Sequence, residues 1–270
     1  NKPYHPKGDP LMERLANQEE RRSGITRSAL RLWGLLFAGL GIVGRGILQN
    51  RLLGMGQISG EQLLEAMMSS DRAMVFATLA LVIQAVEACA IPIFAFLLVE
   101  GVQHTKNLDA YLLRVVGVAL LSELPYNLAM HGKLLFLGDR NPVFALVMCL
   151  VMLYLFSRFP EGKKGNGLLK AVIAVAALAW CEMLKIEYGS ATVLIISVMW
   201  AFRKNTLYRN FAGAAAAIVC TVMSMYFLAA PMAFMIIHGY DGEKSTNSRK
   251  VNYLAYPALL VAAAVVGFIL

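Results

Sequence analysis

The sequence predicts an all-α, polytopic transmembrane helical bundle, and three observations predict it. Apolar side chains make up 58% of the 270 residues and charged ones only 16%, against about 45–50% and about 25% in soluble domains. Mean hydropathy is +0.59. Apolar runs near the roughly 20-residue length that crosses a bilayer recur from Leu30 to Leu270. A soluble core absorbs one or two such runs, not a series. Backbone N–H and C=O groups in lipid must be satisfied within the chain, so long unbroken runs point to helices rather than to a barrel.

Taken in order, residues 1–26 read as a polar N-terminal arm and 27–270 as the transmembrane domain. The arm has no apolar h-region, which argues against a cleaved signal peptide. Arg21, Arg22, Arg27 and Arg31 cluster before and at the start of the first span and put the N-terminus in the cytoplasm. Spans are expected at 28–49, 73–102, 109–129, 142–158, 168–185, 189–203, 208–238 and 252–270, about eight in all. The segment 57–72 is amphipathic and reads as interfacial. The loops near Lys106, at Arg158 to Lys170 and at Arg203 to Arg209 then fall on the basic, cytoplasmic side. The net charge of +8 therefore reports topology rather than nucleic-acid binding. The run 208–238 is too long for one helix and too short for two, and a break near Ala229–Pro231 reconciles both. The side of the loop 239–251 stays open.

Cys89, Cys149, Cys181 and Cys220 each sit in an apolar segment without CxxC or His-paired spacing. They read as small buried hydrophobes, with no disulfide and no metal. Walker, Rossmann, HExxH and Ser/His/Asp signatures are absent.

Ionisable residues concentrate between Pro92 and Asn127: Glu100, His104, Lys106, Asp109, Arg114 and Glu123. Charges at membrane depth are expensive unless they pair or face a protein-enclosed cavity. Glu100 and His104 stand at i and i+4 on one helix face. They form either a base with its orienting carboxylate or a helix end anchored among headgroups. Glu123, before Pro125-Tyr126-Asn127, either binds a polar head or satisfies a broken helix. Arg45, Glu87 and Glu182 lie in apolar sequence and read as an internal ion pair or a transport path. The loop GYDGEKSTNSRK, 239–250, is either a solvated connection or a holder of a diphosphate.

The order PIFAFLLVEG, HTKN, YLLR, LLSELPYN, RNPVFALVMCL, IEYGSATVL, GYDGEK and YLAYPALL resembles the TraX family from about Ile91 to the C-terminus. That resemblance implies a fold related to transmembrane acyltransferases, in a bacterial cytoplasmic (inner) membrane. The founding member is associated with N-terminal acetylation of conjugative pilin. The implied activity is an acetyltransferase that takes acetyl-CoA as donor and a peptide amine, glycan or lipid as acceptor. Other membrane or pilus-type proteins are implied partners beside the lipid bilayer. Carried over by motif, His104 is the base, Glu100 its orienter, and Arg114 and Glu123 complete a catalytic set. Lys106, Asn127, Asn141, Tyr240 and Gly242 fall to the cofactor. The chain also departs from the family pattern. An Asp-His pair late in the first span is replaced by a stretch whose only charge is Arg45. A Gly-Arg pair before the central motif is missing near Glu87, Asp-Tyr-Gly becomes Glu187-Tyr188-Gly189, and Tyr256-Pro257-Ala258 lacks the histidine that should follow. The alternative reading is a catalytically degenerate member acting as partner or scaffold in a membrane complex; a small transporter using Glu87, Glu123 and Glu182 is a third.

Overall fold

The structure, a computed structural model, describes residues 24–52, 65, 68, 71–160, 162–242 and 249–269. The polar arm up to residue 23, nearly all of the expected interfacial segment 57–72 and loop positions 243–248 lie outside the described residues. Among those described the chain is helical, with no strand and two isolated bridges. Three stretches, Arg27–Asn50, Met74–His104 and Asn166–Met183, are long and apolar enough to cross a membrane; Val143–Ser157, Gly189–Ala201, Met225–His238 and Tyr253–Ile269 are shorter apolar helices. This is an all-α helical membrane protein.

Helix α1 (Arg27–Gly41) starts where the Thr26 hydroxyl accepts from the Ala29 amide at 3.3 Å, and it continues as a π-helical stretch over Ile42–Leu52. The expected span 73–102 is two helices, α2 (Asp71–Glu87) and α3 (Ala90–His104). Pro92 has no amide hydrogen, and the turn before it is tightened by Ile91 donating to the Ala88 carbonyl at 3.3 Å. Helix α4 (Leu108–His131) is capped by the Asn107 side chain and closed by Gly132 in the left-handed region, φ 65. Helices α5 (Val143–Ser157), α6 (Asn166–Met183) and α7 (Gly189–Ala201) follow. Interior positions go to α3 and α7, whose side chains are mostly buried, while α6 shows most of its surface to the surroundings.

The long run after residue 205 resolves differently from the sequence expectation. Helix α8 (Thr206–Val219) ends in a turn of 3-10 helix at Cys220–Val222, and Ser224 is extended. The break therefore precedes Ala229–Pro231, which lie within a second 3-10 stretch, Met225–Met232, that leads into α9 (Ala233–His238). These returning segments pack on α8, so the chain doubles back. The Ile25 amide donates to the Gly239 carbonyl at 2.6 Å and the Asp241 amide to the Ile25 carbonyl at 3.2 Å. The start of loop 239–251 is thereby fixed at the end of the bundle where α1 begins, the question the sequence left open. Helix α10 (Arg249–Ile269) then packs along α4.

Close approach of the π-helical stretch Ile42–Leu52 to α4 requires a glycine. A Cβ at Gly46 would stand 2.9 Å from the Ala129 carbonyl oxygen, backbone that cannot swing away, whereas one at Gly117 would meet nothing within 4 Å. Gly46→Ala should lower the thermal midpoint in detergent, at a cost of about 1–3 kcal/mol. Gly117→Ala should leave it unchanged or raise it slightly. Equal midpoints for the two variants would contradict this close packing.

Candidate functional site

A cavity of about 830 Å³ opens at the end of the bundle that carries the cytoplasm-type basic loops. Its rim is cationic. Arg27 and Arg31 come from the first turns of α1, Lys106 from the α3–α4 turn and Arg114 from the second turn of α4; His104, Tyr240 and Gly242 complete it. The Arg114 guanidinium lies 6.0 Å from the Tyr111 ring centroid and 5.9 Å from that of Tyr253, also on the wall. One nitrogen of Arg31, Nη1, is buried without a hydrogen-bond partner among the described residues. Four cations at one mouth, one of them with an unsatisfied donor, suit a polyanionic ligand.

Glu100 ties the rim to the bundle. Its Oε1 accepts from Arg209 Nη1 at 2.8 Å, a pair in which both residues are buried, and the guanidinium sits over the Phe96 ring at 4.6 Å. His104 Nδ1 lies 2.8 Å from the Glu100 carbonyl oxygen and 3.3 Å from its Oε2. If Nδ1 donates there, Nε2 is left as the accepting nitrogen, on an imidazole that is 57% exposed. Tyr240 packs edge-on against Phe96 at 5.2 Å. Burial pushes its phenol above the ordinary range, so it stays protonated and able to donate at neutral pH.

From the rim the cavity descends between apolar walls, Leu35, Ala38 and Ile42 of α1 facing Ile91, Phe94 and Leu98 of α3. It ends about 25 Å lower, at the helical rise separating Arg27 from Arg45. The floor holds Arg45, Glu87, Tyr188 and Tyr256. Arg45 donates through Nε and Nη2 to Glu87 at 3.1 and 2.6 Å and pairs through Nη1 with Glu187. Behind the floor the polar chain goes on. The Tyr126 hydroxyl donates to Glu187 at 2.7 Å and lies 3.4 Å from Asp139, whose other oxygen is 2.8 Å from His131 Nε2. Sequence reading missed this continuation, because His131 ends α4 and Asp139 lies in the loop after it, with no motif to mark either.

The structure brings Glu100, His104, Lys106, Arg114, Tyr240 and Gly242 to one cavity. It puts Glu123, Asn127 and Asn141 elsewhere. Glu123 accepts from Arg140 at 3.1 Å and from the Asn141 side chain at 2.6 Å, an arrangement that staples α4 to the start of α5. Asn127 is fully buried, with neither side-chain atom bonded among the described residues, and it does not line the cavity. Glu182, read as deep, is exposed at the end of α6, where it accepts from the Ser190 hydroxyl. Arg27, Arg31 and Arg209 look in sequence like topology markers, and only the fold turns them toward the site.

The profile described as TraX protein matches residues 55–267, about four-fifths of the chain. The chain belongs to the TraX family. No curated protein and no solved structure matches. Arg45, which precedes the matched residues, and Glu87 and Glu187 within them are joined by the ion pairs of the floor, and Tyr256 lies beside them.

Arg209 and Glu100 give the clearest stability test. Arg209→Ala or Glu100→Ala strands a buried charge and should destabilise the protein by about 3–5 kcal/mol. Glu123→Gln, which keeps the Asn141 contact, should cost less. A thermal-melting series in which Glu100→Ala and Glu123→Gln are equally harmless would contradict the pairing.

Proposed function

We propose that this TraX-family membrane protein is an acetyl-CoA-dependent acetyltransferase acting on a peptide amine, glycan or lipid acceptor. The observation that carries the reading is the deep cavity lined at one end by Arg27, Arg31, Lys106 and Arg114. Those cations supply charge-assisted hydrogen bonds to the phosphates of the donor, and the apolar walls receive its less polar parts or the acceptor. Glu87 and Glu100 each have a carboxylate oxygen taken up by a guanidinium. His104 is the histidine that lines the cavity among the described residues, and it is assigned as general base, with Glu100 as the positioning residue. The acceptor N–H or O–H gives its proton to Nε2 as the nucleophile attacks the thioester carbonyl. The C–S bond breaks, and the departing thiolate takes the proton back. Tyr240 and Arg114 are the donors near the rim for the developing oxyanion.

One observation favours a second reading. A donor whose phosphates stay at the rim and whose arm fills the shaft brings its thioester to the floor. There Arg45 is committed to two carboxylates, and among the described residues no histidine lines the floor beside it. On that geometry the chain binds the donor without turnover, as a partner or scaffold in a membrane complex.

Purified protein in nanodiscs should bind coenzyme A, and replacing Arg27, Arg31 and Arg114 with Gln should weaken binding by at least about tenfold. With native membrane extract as acceptor, acetyl transfer should fall about 100- to 10,000-fold in His104→Ala while coenzyme A binding is retained. Binding without transfer in the wild type selects the partner reading. Absence of coenzyme A binding contradicts both.

A further inference from the structure

A second cavity, of about 420 Å³, lies at the same basic end between α5, α6 and α7 and shares no lining residue with the first. Lys163, Lys170 and Arg203 line it, with Trp200 beside them and Phe156 and Ala174 forming the inner wall. The Arg203 guanidinium is held in place: it stacks 4.3 Å over the Trp200 ring and its Nη1 donates to the Trp200 carbonyl at 2.8 Å. Lys163 is presented by a turn built on Gly162 and Gly165, both at φ +89, conformations that L side chains rarely adopt. Gly165 also gives α6 no side-chain cap, so the positive end of that helix adds to the field at the cavity.

The helix that borders the cavity also carries a surface built for hydrocarbon. Its outer face exposes Leu168, Val172 and Val175, reached from the cavity past the exposed Ala171, and α6 is the least buried of the three long apolar helices. A tryptophan at the level where an apolar helix meets a cationic cluster is a usual mark of the headgroup zone. Three cations there attract a net negative charge. A lipid anion offers the cations a phosphate and the neighbouring apolar face its acyl chains in one molecule, which a soluble anion does not. A zwitterionic lipid would set its own ammonium against them.

We propose that this cavity is a binding site for the headgroup of an anionic phospholipid, whose acyl chains lie along the outer face of α6. The phosphate sits among Lys163, Lys170 and Arg203, and the glycerol backbone packs against Trp200. The site is separate from the larger cavity and does not depend on the transfer reaction.

The test uses the intact chain in nanodiscs containing equal phosphatidylglycerol and phosphatidylethanolamine, released into the gas phase for native mass spectrometry. Wild type should retain phosphatidylglycerol in preference to phosphatidylethanolamine. Lys163→Gln, at an exposed position, should weaken that retention about fivefold, and the combined Lys163→Gln, Lys170→Gln, Arg203→Gln variant about a hundredfold. Equal retention of the two lipids, or an unchanged preference in Lys163→Gln and in the triple variant, would overturn the proposal. Displacement of the lipid by millimolar inorganic phosphate would also overturn it, by making the site one for a soluble anion.

Discussion

A guanidinium left bare at membrane depth is prohibitively expensive, and the interior of this bundle is arranged around that constraint at Arg45. Glu87 reaches it from the break between α2 and α3, and Glu187 from the turn between α6 and α7. Three separate segments of chain are thus pinned at one charge. The backbone makes room for them. A Cβ at Gly41 would fall directly on the Glu87 carboxyl group, and one at Gly44 would press on Ile83 at 2.6 Å. The small residues of the first helix are therefore the steric condition for the ion pair, not a sign of looseness. Tyr126 then carries the network on toward Asp139 and His131 at the far end.

The same pairing decides what the cavity can do. With Arg45 neutralised by carboxylates the floor is polar but closed, while the rim keeps four cations directed at the opening. On the proposed acetyl-transfer reading, donor binding and proton transfer fall to different places: the first to the cationic rim, the second to a proton acceptor. His104 offers that acceptor at the rim, while among the described residues no histidine lines the floor.

Much of this was legible in the sequence. Apolar length gave the order of helices to within a few residues, because in lipid the hydrophobic run and the helix are nearly the same object. The i, i+4 spacing brought Glu100 and His104 together, and apolar context marked Arg45, Glu87 and Glu182 as candidates for an internal ion pair, of which the structure pairs Arg45 with Glu87. What escaped notice depended on contacts distant along the chain. Arg209 lies 109 positions from Glu100, and nothing local separates it from a loop cation. The return of the chain at Cys220–Ser224 was placed too late because Pro231 drew the break toward itself. That proline fits within the 3-10 stretch, while the reversal is made at an extended serine with no strong signal. Glu123 and Asn141 carry family motifs yet serve to join helices, since a motif records constraint without saying whether packing or chemistry imposes it.

The central claim is a water-open shaft running from the cationic rim toward the paired Arg45. Its most direct test is single-cysteine labelling in oriented membrane vesicles with a small charged thiosulfonate, the four native cysteines being buried. Ala38, on the cavity wall roughly 16 Å below Arg27 by helical rise, is replaced by cysteine, as is Leu36, which faces outward on the same helix. The account predicts rapid modification of Ala38→Cys by reagent added on the basic side, slowed by coenzyme A, and none of Leu36→Cys. An unreactive Ala38→Cys in folded protein, or one modified only from the opposite side, would contradict it.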